Sequence, residues 1–298
     1  MKVLVTGGAG FIGSHIVDLL IEEGYNVVVV DNLYHGKLEN INPKAKFYRA
    51  DIRDRYIKNI FNKEKPDYII HQAAQINVAN SINYPILDAE INILGTINIL
   101  DACKNNDVKK IIYPASAAIF GEPKYLPIDE KHPLNMISPY GVSKHTVEHY
   151  LYVYNKLYGI NYVSLRFSNV YGPRQDFSGE GGVISIFCNR MASGKRPIIF
   201  GNGEQVRDFI YVKDVAKATL LAMESDENGI FNACSNIQTS INQLVEVINK
   251  IINKNLKPIY FENRKGDIKF SYMSYEKIKK HLDWEPKYNI EDGIIECL

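Results

Sequence analysis

A chain of 298 residues has length for one large domain or two modest ones, each with a buried core. Its 35 Lys and Arg are balanced by 34 Asp and Glu, so no general electrostatic attraction draws it to nucleic acid or to an anionic membrane. Any anionic partner must be held by a few placed cations.

The apolar start is interrupted at Gly7 and Gly8, too early for a signal peptide, and no later run approaches the ~18 continuous apolar residues of a membrane span. Cys103, Cys188, Cys234 and Cys297 are far apart and show no metal-ligand spacing. They read as reduced thiols of a cytoplasmic protein, and no metal site is expected. In chain order, strands are predicted at 2–5, 27–31, 47–50, 68–71, 110–113 and 162–167, with helical patterns over 11–23, 86–104 and 137–157. This alternation predicts βαβ units and an α/β Rossmann-type doubly wound parallel sheet. The valine run at 27–30 suits a strand buried on both faces.

After Gly172 the rhythm changes. Gly179, Gly181 and Gly182 open a loop, a helical pattern reaches Met191, and GKRPIIFGNGE resembles a short strand between turns. Residues 214–223 read as helix, 230–233 as a strand placed to rejoin the main sheet, and the tail from Ser240 as two helices and a short strand. The expected division is a Rossmann domain over 1–172, joined by about 206–235, and a smaller α/β lobe over 173–298.

Gly7, Gly10 and Gly13 form GxxGxxG between a strand and a helix, the arrangement that turns tightly and presents free helix N–H groups to a pyrophosphate. A glycine turn alone is weak evidence. Asp31 adds to it, because it ends the next strand 18 residues beyond Gly13, where a carboxylate accepts from ribose hydroxyls. That carboxylate repels a 2′-phosphate and NLYHGK brings no arginine, so NAD is favoured over NADP. Asp51, ahead of IRDRYIKNIF, reads equally as a helix N-cap and, with Ile52, as an adenine contact.

Tyr140 and Lys144 stand four apart in YGVSK and share a helical face. A phenol is a poor base near neutrality, and a neighbouring ammonium favours its ionised form. In a chain with 20 tyrosines, one such spacing is also expected by chance. Arg207 and Asp208 by spacing alone suit a surface ion pair, and Arg264 a solvated turn.

GGAGFIGSH, YPASAAIFG, YGVSK and LRFSNVYGPRQ occur together in the order and spacing of the extended short-chain dehydrogenase/reductase family. The set resembles its nucleotide-sugar 4-epimerases over nearly the whole chain. The resemblance implies that Ser116 bonds the reacting hydroxyl, Tyr140 is the acid/base, and Lys144 holds the nicotinamide ribose. It places Phe11, Ile12, Asn32, Ala73, Ala74, Gln75, Asn92 and Phe167 along the NAD with the residues above. On the substrate side it implies Arg207 and Arg264 on the diphosphate, Asp267 on the nucleoside, Asn169 near the sugar-linked phosphate, Val183 lining the site, and Ser271 beside the sugar C2 substituent. By spacing alone, Asn92 is a polar residue in a helix and Ser116 a strand-end hydroxyl.

Relatives often carry tyrosine at Phe120 and Phe167, so phenol contacts there are absent while ring packing survives. In similar 4,6-dehydratases an Asp-Glu pair follows the serine, and in similar decarboxylases a glutamate; here Ala117 and Ala118 exchange no proton. The implied activity is 4-epimerisation of a UDP-hexose through a 4-keto sugar, with tightly bound NAD regenerated each cycle. The pairs are UDP-glucose with UDP-galactose and, given a small residue at 271, their N-acetylated counterparts. A UDP-glucuronate 4-epimerase, another nucleotide-sugar oxidoreductase and a non-catalytic NAD(H) sensor stay open. The resemblance also implies a homodimer paired through 86–104 and 137–157.

Overall fold

The computed structural model describes residues 1–178, 182–263 and 268–298. Seven strands form one parallel sheet: β1 (Lys2–Thr6), β2 (Asn26–Asp31), β3 (Lys46–Arg49), β4 (Tyr68–His71), β5 (Lys110–Ser116), β6 (Asn161–Phe167) and the strand Gly229–Ala233. Their order is Gly229–Ala233, β6, β5, β4, β1, β2, β3, so the chain winds outward from β1 in both directions. This is the doubly wound α/β Rossmann-type fold. Its strand order reverses between β1 and β4, whose Val3 pairs with Tyr68 while the other side of β1 pairs Val3 with Val27. Crevices at the carboxyl ends of such a switch point are where ligands sit. The valines of β2 are buried because helices cover both faces, as the unbroken apolar run requires.

The chain divides into two compact units. The first holds Met1–Phe120, Leu134–Arg166 and Ala216–Phe231, and the second Gly121–Pro133, Phe167–Val215 and Asn232–Leu298. The division differs from the expected one in several places. Gly121–Pro133 joins the second unit, where Ile128 bridges Met273, a pairing no periodic pattern announces. Phe167 to Gly172 leaves the first unit, and the return begins at Ala216, because Phe209–Tyr211 pairs in parallel with Asn169–Tyr171 inside the second unit.

In the first unit the expected helix over 86–104 is three pieces: Pro85–Ala89, a π-helical turn Glu90–Leu94, and Gly95–Lys104. Single π turns inside α-helices are frequent at functional sites. In the second unit, Thr239–Ser240 pairs antiparallel with Val206–Arg207, and Ile259–Phe261 pairs in parallel with Ile198–Phe200. Ser240 also starts the Ile241–Ile251 helix with a capping box to Gln243. Among the described residues no helix is long and apolar enough to cross a membrane. Cys103, Cys188, Cys234 and Cys297 are free.

Candidate active site

The glycine turn follows β1 and runs into the helix Phe11–Glu22, whose N-cap, Gly10, has no side chain to occupy the first amides. The turn is closed by Gly10 N–H to the Gly7 carbonyl at 3.1 Å. At Gly13 a Cβ would lie 2.1 Å from that carbonyl oxygen, so only glycine lets the helix start against the turn. Asp31, 7% exposed at the end of β2, accepts from Ala9 N–H at 3.0 Å and Leu33 N–H at 2.8 Å. Burial raises its pKa against those two bonds.

Asp51 is not a helix cap: the next helix begins at Tyr56, and its N-cap, Arg55, makes no side-chain bond. The carboxylate instead takes Arg53 through both oxygens at 2.8 and 2.9 Å and Asn32 Nδ2 at 2.9 Å, and Arg53 holds it down at about 2. Ile52 is a core side chain lying where a Cβ at position 95 would meet it at 2.7 Å.

Ser116 ends β5. Tyr140 and Lys144 lie in the first two turns of the helix Pro139–Tyr158. Ser138 caps that helix through Gly141 N–H at 3.2 Å, with Pro139 at its first position. A Cβ on Gly141 would fall 2.7 Å from the Ala118 carbonyl, so glycine at the second position of YGVSK brings the helix against the Ser116 segment. The result brings the Ser116 hydroxyl toward the Tyr140 side chain. Desolvation raises the Tyr140 pKa, and the nearby Ser116 hydroxyl opposes it. The acidified phenol expected beside an ammonium is therefore not what these residues alone produce. Lys144 Nζ sits 6.0 Å from the Tyr140 ring centroid and spends a proton on the Pro114 carbonyl at 2.8 Å. Burial pushes the lysine down to about 8, with the Asp88 charge pulling the other way.

Asn92 is no solvated helix polar. It is 1% exposed in the π turn. Its Oδ1 accepts from Gln75 N–H at 2.8 Å, and its Nδ2 faces the Gln75 carbonyl, Asp88 Oδ1 and Ser143 Oγ at 3.0–3.1 Å. Ser143 Oγ in turn donates to the Tyr140 carbonyl at 3.1 Å. The loop after β4, carrying Ala73, Ala74 and Gln75, is thereby tied to the helix of Tyr140. Asp88 completes the tie by accepting from Gln75 Nε2 at 2.8 Å. His71 bridges Thr6 and Thr96 at 2.7 and 2.9 Å and is pushed down to about 3 by burial, so it stays neutral. Phe120 lies under the Arg166 guanidinium, 5.2 Å from its carbon, and Phe167 is buried, so both rings pack as expected.

In the second unit, Arg207 Nη1 donates to the Ile268 and Val206 carbonyls at 2.6 and 2.9 Å. The surface ion pair with Asp208 is not found, because Asp208 is 2% exposed and bonded elsewhere. Asn169 and Val183, the latter opening the helix Val183–Ala192, line one small cavity with Tyr171, Gln175 and Phe209. Ser271 is half-buried and donates its N–H to the Val206 carbonyl at 3.2 Å. Arg264 and Asp267 lie outside the described residues.

Residues 3–234 match the model of the NAD dependent epimerase/dehydratase family. The chain belongs to that family. It is similar to the crystal structure of UDP-glucose 4-epimerase with UDP-glucose from Thermotoga maritima, at 46% identity and a TM-score of 0.97 over 100% of this chain and 97% of that one. It is also similar to Thermus thermophilus UDP-glucose 4-epimerase in complex with NAD, at 40% identity and 0.94 over 100% and 97%. A UDP-N-acetylglucosamine 4-epimerase of Methanobrevibacter ruminantium, in complex with UDP-N-acetylmuramic acid, follows at 38% and 0.95 over 99% and 96%.

The residues present fit the family's NAD. The amino end of Phe11–Glu22 has no side-chain cap, the turn before it leaves no room for a Cβ at Gly13, and Asp31 retains acceptor capacity beyond its two backbone bonds. The sequence reading passed over Asp88 and Ser143, and took Asp208 only as half of a surface pair. Asp88 and Asp208 carried one signal, a lone acid within an otherwise apolar stretch (PILDA and DFIYV).

Proposed function

We propose that this member of the epimerase/dehydratase family interconverts UDP-hexoses at C4, using NAD that is regenerated in every cycle. The observation that carries the reading is the meeting of Ser116, Tyr140 and Lys144 beside Ala117 and Ala118. Acid and base are present for one hydroxyl, and the side chains that elimination needs are absent. NAD held there would supply the hydride acceptor and donor that inversion at C4 needs. The Tyr140 oxygen takes the C4 hydroxyl proton and gives it back, while Ser116 holds that hydroxyl in line. Lys144 binds the nicotinamide ribose, and its charge stabilises the phenolate as Tyr140 ionises. Asp31 accepts from the adenosine ribose, and Gly7, Gly10, Phe11, Ile12 and Gly13 present the backbone to the pyrophosphate.

In the second unit, Arg207 binds the diphosphate and Asn169 the adjoining sugar phosphate, with Val183 lining that region. A small Ser271 admits an acetamido group at C2. The Thermotoga and Methanobrevibacter relatives, one with UDP-glucose and one named for UDP-N-acetylglucosamine, support both sugar classes. Purified protein given UDP-galactose and no added cofactor should form UDP-glucose. NAD retained without turnover would favour a sensor. The chain is further read as a cytoplasmic homodimer. Support comes from its free thiols and from Ile86, Leu87 and Leu94, with Val142, Val153 and Leu157 on the helix of Tyr140, all apolar and exposed. A monomer mass in light scattering at micromolar concentration overturns the dimer.

A further inference from the structure

Asp208 is an acid with no solvent and a full set of neutral donors. Its Oδ1 accepts from Ser168 Oγ at 3.0 Å, Ser235 N–H at 2.9 Å and Ser235 Oγ at 2.8 Å. Its Oδ2 accepts from Asn236 N–H at 3.0 Å and Met273 N–H at 3.1 Å. The donors come from three separate stretches of the second unit, at 168, 235–236 and 273. Asn169 directly follows the first stretch, and Ser271 lies two residues before the third.

The backbone around Asp208 reaches the same residues. The Asp208 carbonyl accepts from Asn169 N–H at 2.9 Å, Val206 N–H donates to the Lys269 carbonyl at 2.9 Å, and the Val206 carbonyl accepts from Ser271 N–H at 3.2 Å. Arg207 lies between Val206 and Asp208. Asn169, Arg207 and Ser271 thus hang on one three-residue segment whose side-chain anchor is a single carboxylate.

We infer that Asp208 is the positioning residue of the nucleotide-sugar site, setting Asn169, Arg207 and Ser271 in register by gathering the three stretches that carry them. A carboxylate is the group for this task, because its two oxygens offer about four lone-pair directions and no donor to repel an N–H. Burial raises its pKa, and the hydrogen bonds from Ser235, Met273 and Ser168 oppose that. The inference rests on the substrate roles proposed above.

Asp208→Asn keeps the shape but turns an NH₂ group toward backbone N–H donors. The expected result is a rise of about tenfold or more in KM for UDP-galactose, and in the Kd of UDP alone, from one or two lost buried bonds. NAD content stays at the wild-type level and kcat changes much less than KM. Ser168→Ala removes one donor and leaves the carboxylate, so it should raise the same KM by a few-fold, which keeps the test open should Asp208→Asn fail to fold. Arg207→Ala is measured alongside. If it leaves UDP binding intact, the substrate reading fails. If it weakens UDP while Ser168→Ala and any folded Asp208→Asn leave KM unchanged, or lower kcat and NAD content instead, the positioning role is overturned.

Discussion

Lys144→Met separates what this lysine does for the reaction from what it does to the fold. Lys144 is 3% exposed, and burial brings its pKa from the ordinary 10.5 to about 8. At about 1.4 kcal/mol per tenfold change in proton affinity, the folded chain pays about 3 kcal/mol to keep that ammonium charged at pH 7. Methionine matches the lysine stem in length and removes the charge. It leaves the Pro114 carbonyl without its 2.8 Å donor, a loss of about 1 kcal/mol. The net expectation at pH 7 is a variant about 2 kcal/mol more stable than wild type, or roughly 4–8 °C in Tm, with epimerisation reduced ~10²–10⁴-fold.

The pH dependence is the sharper test. Below about pH 8 both folded and unfolded wild type carry the proton, so the penalty is fully present. Between about 8 and 10.5 the folded form gives the proton up first and the penalty fades, and above 10.5 it is gone. The stability advantage of Lys144→Met should therefore shrink steadily from pH 7 to pH 10. Thermal melts of NAD-stripped protein across that range, with a coupled UDP-galactose assay at pH 7.5, measure both halves. A variant no more stable than wild type at pH 7, with a difference indifferent to pH, would show that the Lys144 charge is not desolvated as the structure has it.

Tyr140→Phe should keep NAD and fold while lowering kcat ~10²–10⁴-fold, since only the proton-carrying oxygen is removed; near wild-type turnover takes Tyr140 out of the mechanism. Gly13→Ala places a Cβ 2.1 Å from the Gly7 carbonyl, and the turn must yield. NAD affinity, read by fluorescence titration, should fall ~10–100-fold, the range of overpacking strain of roughly 1–3 kcal/mol; unchanged affinity refutes the close approach. Ser271→Tyr should suppress turnover of the N-acetylated pair at least tenfold more than that of the plain pair, because a side chain filling space discriminates by repulsion. Equal losses in steady-state assays on both pairs remove Ser271 from that role.

The sheet strands and the glycine turn were legible in the sequence because their signals are local. Four valines in a row, a glycine triplet at helix spacing and Asp31 at a strand end each state their requirement within a few residues. YGVSK likewise set Tyr140 and Lys144 on one helical face, whatever the rest of the chain does. The family resemblance then assigned the chemistry, which no periodicity contains.

What the tertiary structure decided concerns residues whose partners are distant in sequence. Asp51 reads equally as a cap and as an adenine contact until Asn32, just past the end of β2, joins Arg53 on its oxygens. Asn92 reads as a helix polar until the π turn carries it inside against Gln75, Asp88 and Ser143. Asp208 reads as half of a surface pair until three stretches converge on it. For Tyr140, too, proximity of an ammonium argues for a lowered phenol pKa, while burial pushes the other way. Hydrophobic periods and turn residues are properties of neighbours along the chain. Desolvation and the partners of a buried polar group are properties of neighbours in space, and only folding supplies those.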